Sequence, residues 1–176
     1  MKGPPDNAYD HPAALDPTFL WKECRAERSR RSGPGGQHRN KVETAVALVH
    51  GPTGVRAGAA ERRSQDQNRR VALFRLRVNL ALAVRRPVSD QAYTASELWC
   101  SRRQSGAIRV NPRHQDFPGL LAEAMDVVAA HGFDVKSAAG SLGCSPTQLV
   151  KFLKLEPKAL AIVNQQRKDR GLHALR

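Results

Sequence analysis

Aromatic side chains make up only 5% of this 176-residue sequence, so its apolar core must be mostly aliphatic. Trp21 and Trp99 are expected as core anchors rather than base-stacking platforms, because no basic aromatic cluster surrounds them. Cysteine is scarce, and the three residues Cys24, Cys100 and Cys144 are far apart and odd in number. No CxxC or Cys/His spacing points to zinc and no disulfide framework is implied, so buried or half-buried thiols in a reducing compartment are expected. No apolar run approaches the length of a bilayer-spanning helix, which argues against a membrane protein. Residues 1–19 have neither the apolar centre of a signal peptide nor the Arg-rich character of a transit peptide. A cytoplasmic protein is expected.

Acidic residues are also in the minority, 16 against 29 Lys+Arg, for a formal net charge of +13. The excess is concentrated between Leu20 and Arg86, where sixteen Lys/Arg face five Asp/Glu. Such a segment attracts polyanions over long distances, and with no membrane-spanning run the polyanion is expected to be nucleic acid.

Four prolines in the first 17 residues make an irregular lead-in, and Thr18–Cys24 allows one short helical turn. A strand is expected over 24–30, followed by a loop, since Arg31-Ser-Gly-Pro-Gly-Gly-Gln37 fits neither helix nor strand interior. Thr44–His50 alternates, Gly51-Pro-Thr-Gly54 is a turn, and Val55–Ala60 returns as the second arm of a hairpin. Ser64 reads as the N-cap of a helix over 64–85 that ends before Pro87, with an apolar stripe and Arg69, Arg70, Arg75, Arg77, Arg85 and Arg86 on much of the remaining surface. Residues 87–105 read as a linker with a helical candidate at 95–102, and Ile108 and Val110 suggest a brief strand. Helices are expected from Leu120 to Val128, closed by His131-Gly132, then over 135–142, 146–153 and 157–166. The fold class is therefore α+β: a small domain over 20–86, with a short antiparallel sheet and a long helix, then an all-α unit over 106–176.

The stretch Arg31-Ser-Gly-Pro-Gly-Gly-Gln-His-Arg-Asn-Lys-Val-Glu-Thr44 resembles the catalytic segment of class I peptide release factors, the GGQ-domain family. Pro52-Thr-Gly54 and Glu61-Arg-Arg-Ser-Gln-Asp-Gln-Asn-Arg69 extend the likeness, which covers about residues 20–86. Cleaving the ester between peptide and tRNA needs a water at the carbonyl and stabilisation of the developing oxyanion, and a small probe in an RNA-walled site suffices. The resemblance implies that Gln37 acts there through its backbone N–H and positions water with its side chain. Gly35 and Gly36 permit the close approach to the tRNA end that a Cβ would obstruct. Arg31, Arg39 and Lys41 can meet RNA phosphates beside the loop, with Arg62, Arg63, Arg69 and Arg70 as further RNA-binding candidates. Asn40 and Glu43 are expected to hold the loop on its scaffold. No metal or organic cofactor is implied.

The partners implied are the ribosome, at the peptidyl transferase centre and rRNA of the large subunit, and peptidyl-tRNA, with the protein expected to act as a monomer. Gln37 is a candidate for N-methylation by a methyltransferase, as in the related release factors. Codon-reading members carry a further domain with a stop-codon tripeptide. Only about 20 irregular residues precede the catalytic domain over 20–86, and no PxT or SPF-like tripeptide sits in a suitable loop downstream. The sequence is similar to the shorter rescue-type members, such as alternative ribosome-rescue factor B, but ends in a helical unit rather than a strongly basic tail. Codon-independent hydrolysis of peptidyl-tRNA is the function expected.

Ala138–Leu153 has helix-turn-helix spacing, with Ala139 at the helix contact, Gly143 in the turn and Ser145-Pro146 starting the second helix. The alternative function is therefore a helix-turn-helix or RNA-binding factor with a catalytically silent GGQ loop. The second helix offers few groove-reading groups, and residues 106–176 carry only ten Lys/Arg against six Asp/Glu. His114, in a Pro-bounded loop, is expected to make local hydrogen bonds rather than bind a ligand.

Overall fold

The computed structural model describes residues 11–29, 44–88 and 93–176. Residues 11–15 form turns and bends, and the Asp16 carboxylate caps a short helix α1 (Pro17–Lys22) by accepting from the Thr18 N–H at 2.8 Å. Next come three strands, β1 (Cys24–Ser29), β2 (Ala45–His50) and β3 (Arg56–Ala59), antiparallel in the order β1-β2-β3. With strands on both edges of β2 and a helix packed against it, all its residues but Ala47 are buried.

That helix, α2 (Gln65–Ala83), is capped by Ser64, whose hydroxyl accepts a long bond from the Gln67 N–H at 3.5 Å. Asp66 sits in its first turn, where the helix dipole favours a carboxylate. Its buried line runs Asn68, Ala72, Leu76, Leu80, one residue every four, with Val71, Leu73, Phe74, Val78 and Leu82 half-buried on the flanks. Arg77, expected on the polar face, is buried. Its guanidinium donates to the carbonyls of Ala13 (2.9 Å) and Gln115 (2.8 Å), tying the lead-in to the middle of the chain.

The remaining described elements are α3 (Glu97–Arg102), β4 (Arg103–Gln104), β5 (Ala107–Ile108), α4 (Phe117–Ala130), α5 (Val135–Ser141), α6 (Pro146–Leu153) and α7 (Pro157–Asp169). The β4–β5 turn places Ser105 (φ 48°) and Gly106 (φ 73°) in the left-handed region, as a tight two-residue hairpin requires. Helix α4 lies against α2, and α5 and α6 pack on each other and on α4. One buried cluster consequently runs from Leu48 in the sheet through Leu76 and Leu121 to Leu149 and Val163.

Trp99 is fully buried in this core, edge-on to Phe152 with ring centroids 5.6 Å apart. Its indole N–H donates to the Leu142 carbonyl at 2.8 Å, which fastens α3 to the α5–α6 pair. Buried Glu123 accepts from the Tyr93 hydroxyl (2.6 Å), the Ser96 N–H (2.8 Å) and the Ser96 hydroxyl (2.5 Å), and Arg85 pairs with buried Asp126 at 2.9 Å. Burial, then the Glu123 charge, drives the Tyr93 phenol far above its ordinary value, so it remains a donor. Cys24 and Cys144 are half-buried thiols, and burial pushes Cys144 up to about 11. Cys100 departs from expectation because it is exposed.

Candidate functional site

Gly35, Gly36 and Gln37, together with Arg31, Arg39 and Lys41, fall within residues 30–43 and lie outside the described residues, as do Asn40 and Glu43. What is described is the base on which that segment stands. Ser29 ends β1 and pairs with Ala45 at the start of β2, so residues 30–43 connect two adjacent antiparallel strands at one end of the sheet. The Pro52-Thr-Gly54 turn lies at the other end.

Asn68 builds the downstream foot. Its side chain is fully buried, its Nδ2 donates to the carbonyls of Thr44 (2.7 Å) and Arg62 (2.9 Å), and its Oδ1 accepts from the Arg62 N–H (2.9 Å). Two carbonyls and one N–H leave only this orientation of the amide. One side chain thus joins the first turn of α2, the β3–α2 connection and the residue that opens β2. Sequence reasoning missed it. The available signal was a polar residue on the four-residue line of Ala72, Leu76 and Leu80, where burial demands a complete set of partners.

At the far end, buried His50 pairs through Nε2 with the Glu23 carboxylate (2.9 Å) and through Nδ1 with the Thr53 hydroxyl (2.7 Å). The Gly51 N–H donates to the Glu23 carbonyl at 2.9 Å. These bonds lock the turn to the start of β1 and thereby set the register that aligns Ser29 with Ala45.

The four described RNA-binding candidates, Arg62, Arg63, Arg69 and Arg70, are all exposed along the β3–α2 connection and the first turns of α2. Their surroundings differ. Arg62 is fixed through its backbone by Asn68. Arg70 pairs with Asp66 at 2.9 Å, one helical turn back. Arg69 lies flat over Trp21, with its guanidinium carbon 3.7 Å from the ring centroid. Trp21 is therefore not the core anchor expected; it is half-buried, beside a cavity of about 170 Å³ that Ala26, Val46 and Gln65 also line. Neighbouring Arg75 grips Glu61 through two nitrogens, at 2.6 and 3.2 Å, and also donates to the Gly58 carbonyl. Backbone N–H groups of Glu61 and Ala60 hold the Glu61 carboxyl below its ordinary value.

His114 is local, as expected: its Nδ1 accepts from the Asp116 N–H at 3.2 Å and Arg102 lies beside its Nε2 at 3.4 Å. Among the described residues, no group of three His, Cys, Asp or Glu is placed to hold a metal ion. None of the described helices is long and apolar enough to cross a membrane.

Residues 18–116, more than half of the chain, match the RF-1 domain family, and the chain belongs to that family. The match reaches past Arg86 to take in α3 and the β4–β5 hairpin. Peptide chain release factor 1, mitochondrial, of Bos taurus is 36% identical over 107 residues, covering 60% of this chain and 24% of that protein. The human protein of the same name is 38% identical over 103 residues, 58% of this chain and 22% of that one. Peptide chain release factor 2 of Paramagnetospirillum magneticum is 48% identical over 58 residues, 33% of this chain and 16% of that protein. The chain spans a quarter or less of the length of these relatives.

Proposed function

We propose that this protein hydrolyses the ester of peptidyl-tRNA in the peptidyl transferase centre of the ribosome, and does so without reading a stop codon. Water attacks the ester carbonyl carbon, the bond from that carbon to the ribose oxygen of the tRNA breaks, and a proton from the water passes to the departing ribose oxygen. The Gln37 backbone N–H stabilises the oxygen that gains charge, its side chain orients the water, and Gly35 and Gly36 let the backbone reach the tRNA end. Arg31, Arg39, Lys41, Arg62 and Arg63 hold nearby phosphates. The observation that carries the reading is the Arg31–Thr44 motif, whose downstream end is bolted by Asn68 to the matched Arg62–Arg69 segment. The names of the relatives support peptide release.

Codon independence is supported by the helices C-terminal to the matched domain. There α4 to α7 form a helical unit that packs on α2 through α4. Its Ser145-Pro146-Thr147 serves to start α6, with the Ser145 hydroxyl accepting from the Gln148 N–H at 3.3 Å. Purified protein is expected to release peptide from ribosome complexes stalled on mRNA without a stop codon. Gln37→Ala, which keeps the backbone N–H but loses the side chain that orients the water, should slow that release measurably. Gly36→Ala, whose Cβ obstructs the approach that brings that N–H to the reacting oxygen, should slow it by about 10²-fold, the scale of losing one oxyanion donor. Release by either variant at the wild-type rate would refute the assignment, and release only when a stop codon is supplied would refute codon independence.

A further inference from the structure

The modest positive charge of the helical unit is not spread evenly. Helices α5, α6 and α7 and the chain beyond α7 border an open groove of about 530 Å³, within the range of about 300–1,000 Å³ typical of ligand sites. Lys136 at the start of α5, Lys151 in the last turn of α6, Lys154 just beyond it and Arg167 in α7 all line it. Among the described residues that line it, Asp134 has the one acidic side chain. It caps α5, accepting from the Ser137 hydroxyl (2.6 Å) and from the N–H groups of Lys136 (3.1 Å) and Ser137 (3.3 Å).

Arg167 is a fixed cation, donating to the carbonyls of Phe133 (2.5 Å) and His173 (2.7 Å). Lys136, Lys151 and Lys154 are exposed, and no described carboxylate forms an ion pair with them. Between these charges the lining is apolar: Val135 is buried, and Val150 and Leu175 are half-buried.

We propose that this groove binds a single-stranded RNA segment, with phosphates on Lys136, Lys151 and Lys154 and a base against Val135, Val150 and Leu175. Cations around an apolar floor match an unpaired nucleotide, which presents a phosphate and a base face together; a duplex hides its base faces in the stack. The choice of RNA as the polyanion rests on the proposed action at the ribosome. Contacts here would orient the whole folded body through a surface far from the loop in sequence.

The test uses the full chain and a fluorescein-labelled oligouridylate, with anisotropy followed across salt concentration. The triple variant Lys136→Gln, Lys151→Gln, Lys154→Gln is compared with Arg109→Gln, Arg113→Gln, Lys158→Gln, three exposed cations of the same unit outside the groove. The groove variant should bind about tenfold more weakly, and its dependence of log affinity on log salt should be shallower by about two, at about 0.7 per phosphate contact. The control variant should stay within about twofold of wild type, as a change outside the site leaves its phosphate contacts in place. Photocrosslinks from a 4-thiouridine version should fall on residues 146–154. Equal losses in the two variants, or crosslinks confined to residues 20–86, would overturn the proposal. So would a groove variant that binds RNA normally but no longer co-sediments with ribosomes, because the occupant would then be a protein surface. No peptidyl-tRNA is present in this assay, so its failure and the failure of Gln37-dependent release are separately visible.

Discussion

Asn68 concentrates three part-buried hydrogen bonds in one short side chain that is itself fully buried. Asn68→Ala should therefore cost about 1–3 kcal/mol, the scale of leaving a buried polar group unsatisfied, since exposed Arg62 can partly rehydrate. Urea denaturation checks the figure, and the same variant should release peptide more slowly because the foot at Thr44 is unfastened. Arg70→Gln, which removes only an exposed pair with Asp66, should change stability by less than about 0.5 kcal/mol. Equal losses from the two substitutions would mean that Asn68 is an ordinary surface residue of the helix start. The GGQ segment was legible as a family resemblance, but its support was not. Asn68 looked like one polar residue of a quoted motif, and only the pairing of three distant backbone segments reveals why an amide must be there. Arg77 and Trp21 misled for a related reason. Side-chain type suggested surface for one and core for the other, whereas the carbonyls of Ala13 and Gln115 and the guanidinium of Arg69 decide both.

Elements were legible where a local rule sufficed. The caps at Ser64 and Ser145, the Pro52-Thr-Gly54 turn and the proline starts of α6 and α7 reproduce the expected boundaries to within a few residues. The lead-in was less so, because irregular backbone carries no periodicity by which to judge burial. His11 and Ala13 are fully buried. The His11 Nδ1 accepts from the Ala13 N–H at 3.0 Å, and its Nε2 faces the Val84 carbonyl just beyond α2 at 3.4 Å. Burial lowers its pKa from the ordinary 6.5, against an opposing pull from Asp126 and with smaller contributions from Arg85 and Arg86. The folded chain therefore takes up this proton less readily than the unfolded chain. Its contribution to stability is complete above about pH 6.5 and is lost as the pH falls below that value towards the lowered folded pKa. Thermal unfolding should show a lower Tm at about pH 5.5 than at about pH 7.5, and His11→Gln should flatten the difference. An unchanged pH dependence in that variant would assign the effect to other groups.

At the scale of the whole molecule, α2 has two clients. The sheet that carries the ends of residues 30–43 packs against it, and so does α4, with Leu48, Leu76, Leu80, Leu120 and Leu121 in one buried cluster. Arg85–Asp126 adds an ion pair across the α2–α4 contact, and Trp99 joins the matched domain to α5 and α6 from within the core. Charge arithmetic could separate a strongly basic segment from a mildly basic one, but it could not show that the two share apolar surface. Deleting residues 106–176 would uncover the α4-facing side of α2 and leave Trp99 without Leu142 and Phe152. Each large apolar side chain re-exposed removes about 1.5–3 kcal/mol, and several together exceed the whole stability of a domain this size, about 5–15 kcal/mol. The full chain should accordingly unfold in one cooperative transition by calorimetry, with coincident loss of helix and of Trp fluorescence. The fragment ending at Ser105 should be aggregated or should lack a cooperative transition. A fragment that melts cooperatively at a temperature near that of the full chain would show the helical unit to be an appendage, and α4 to contribute little to holding the strands that carry Gln37.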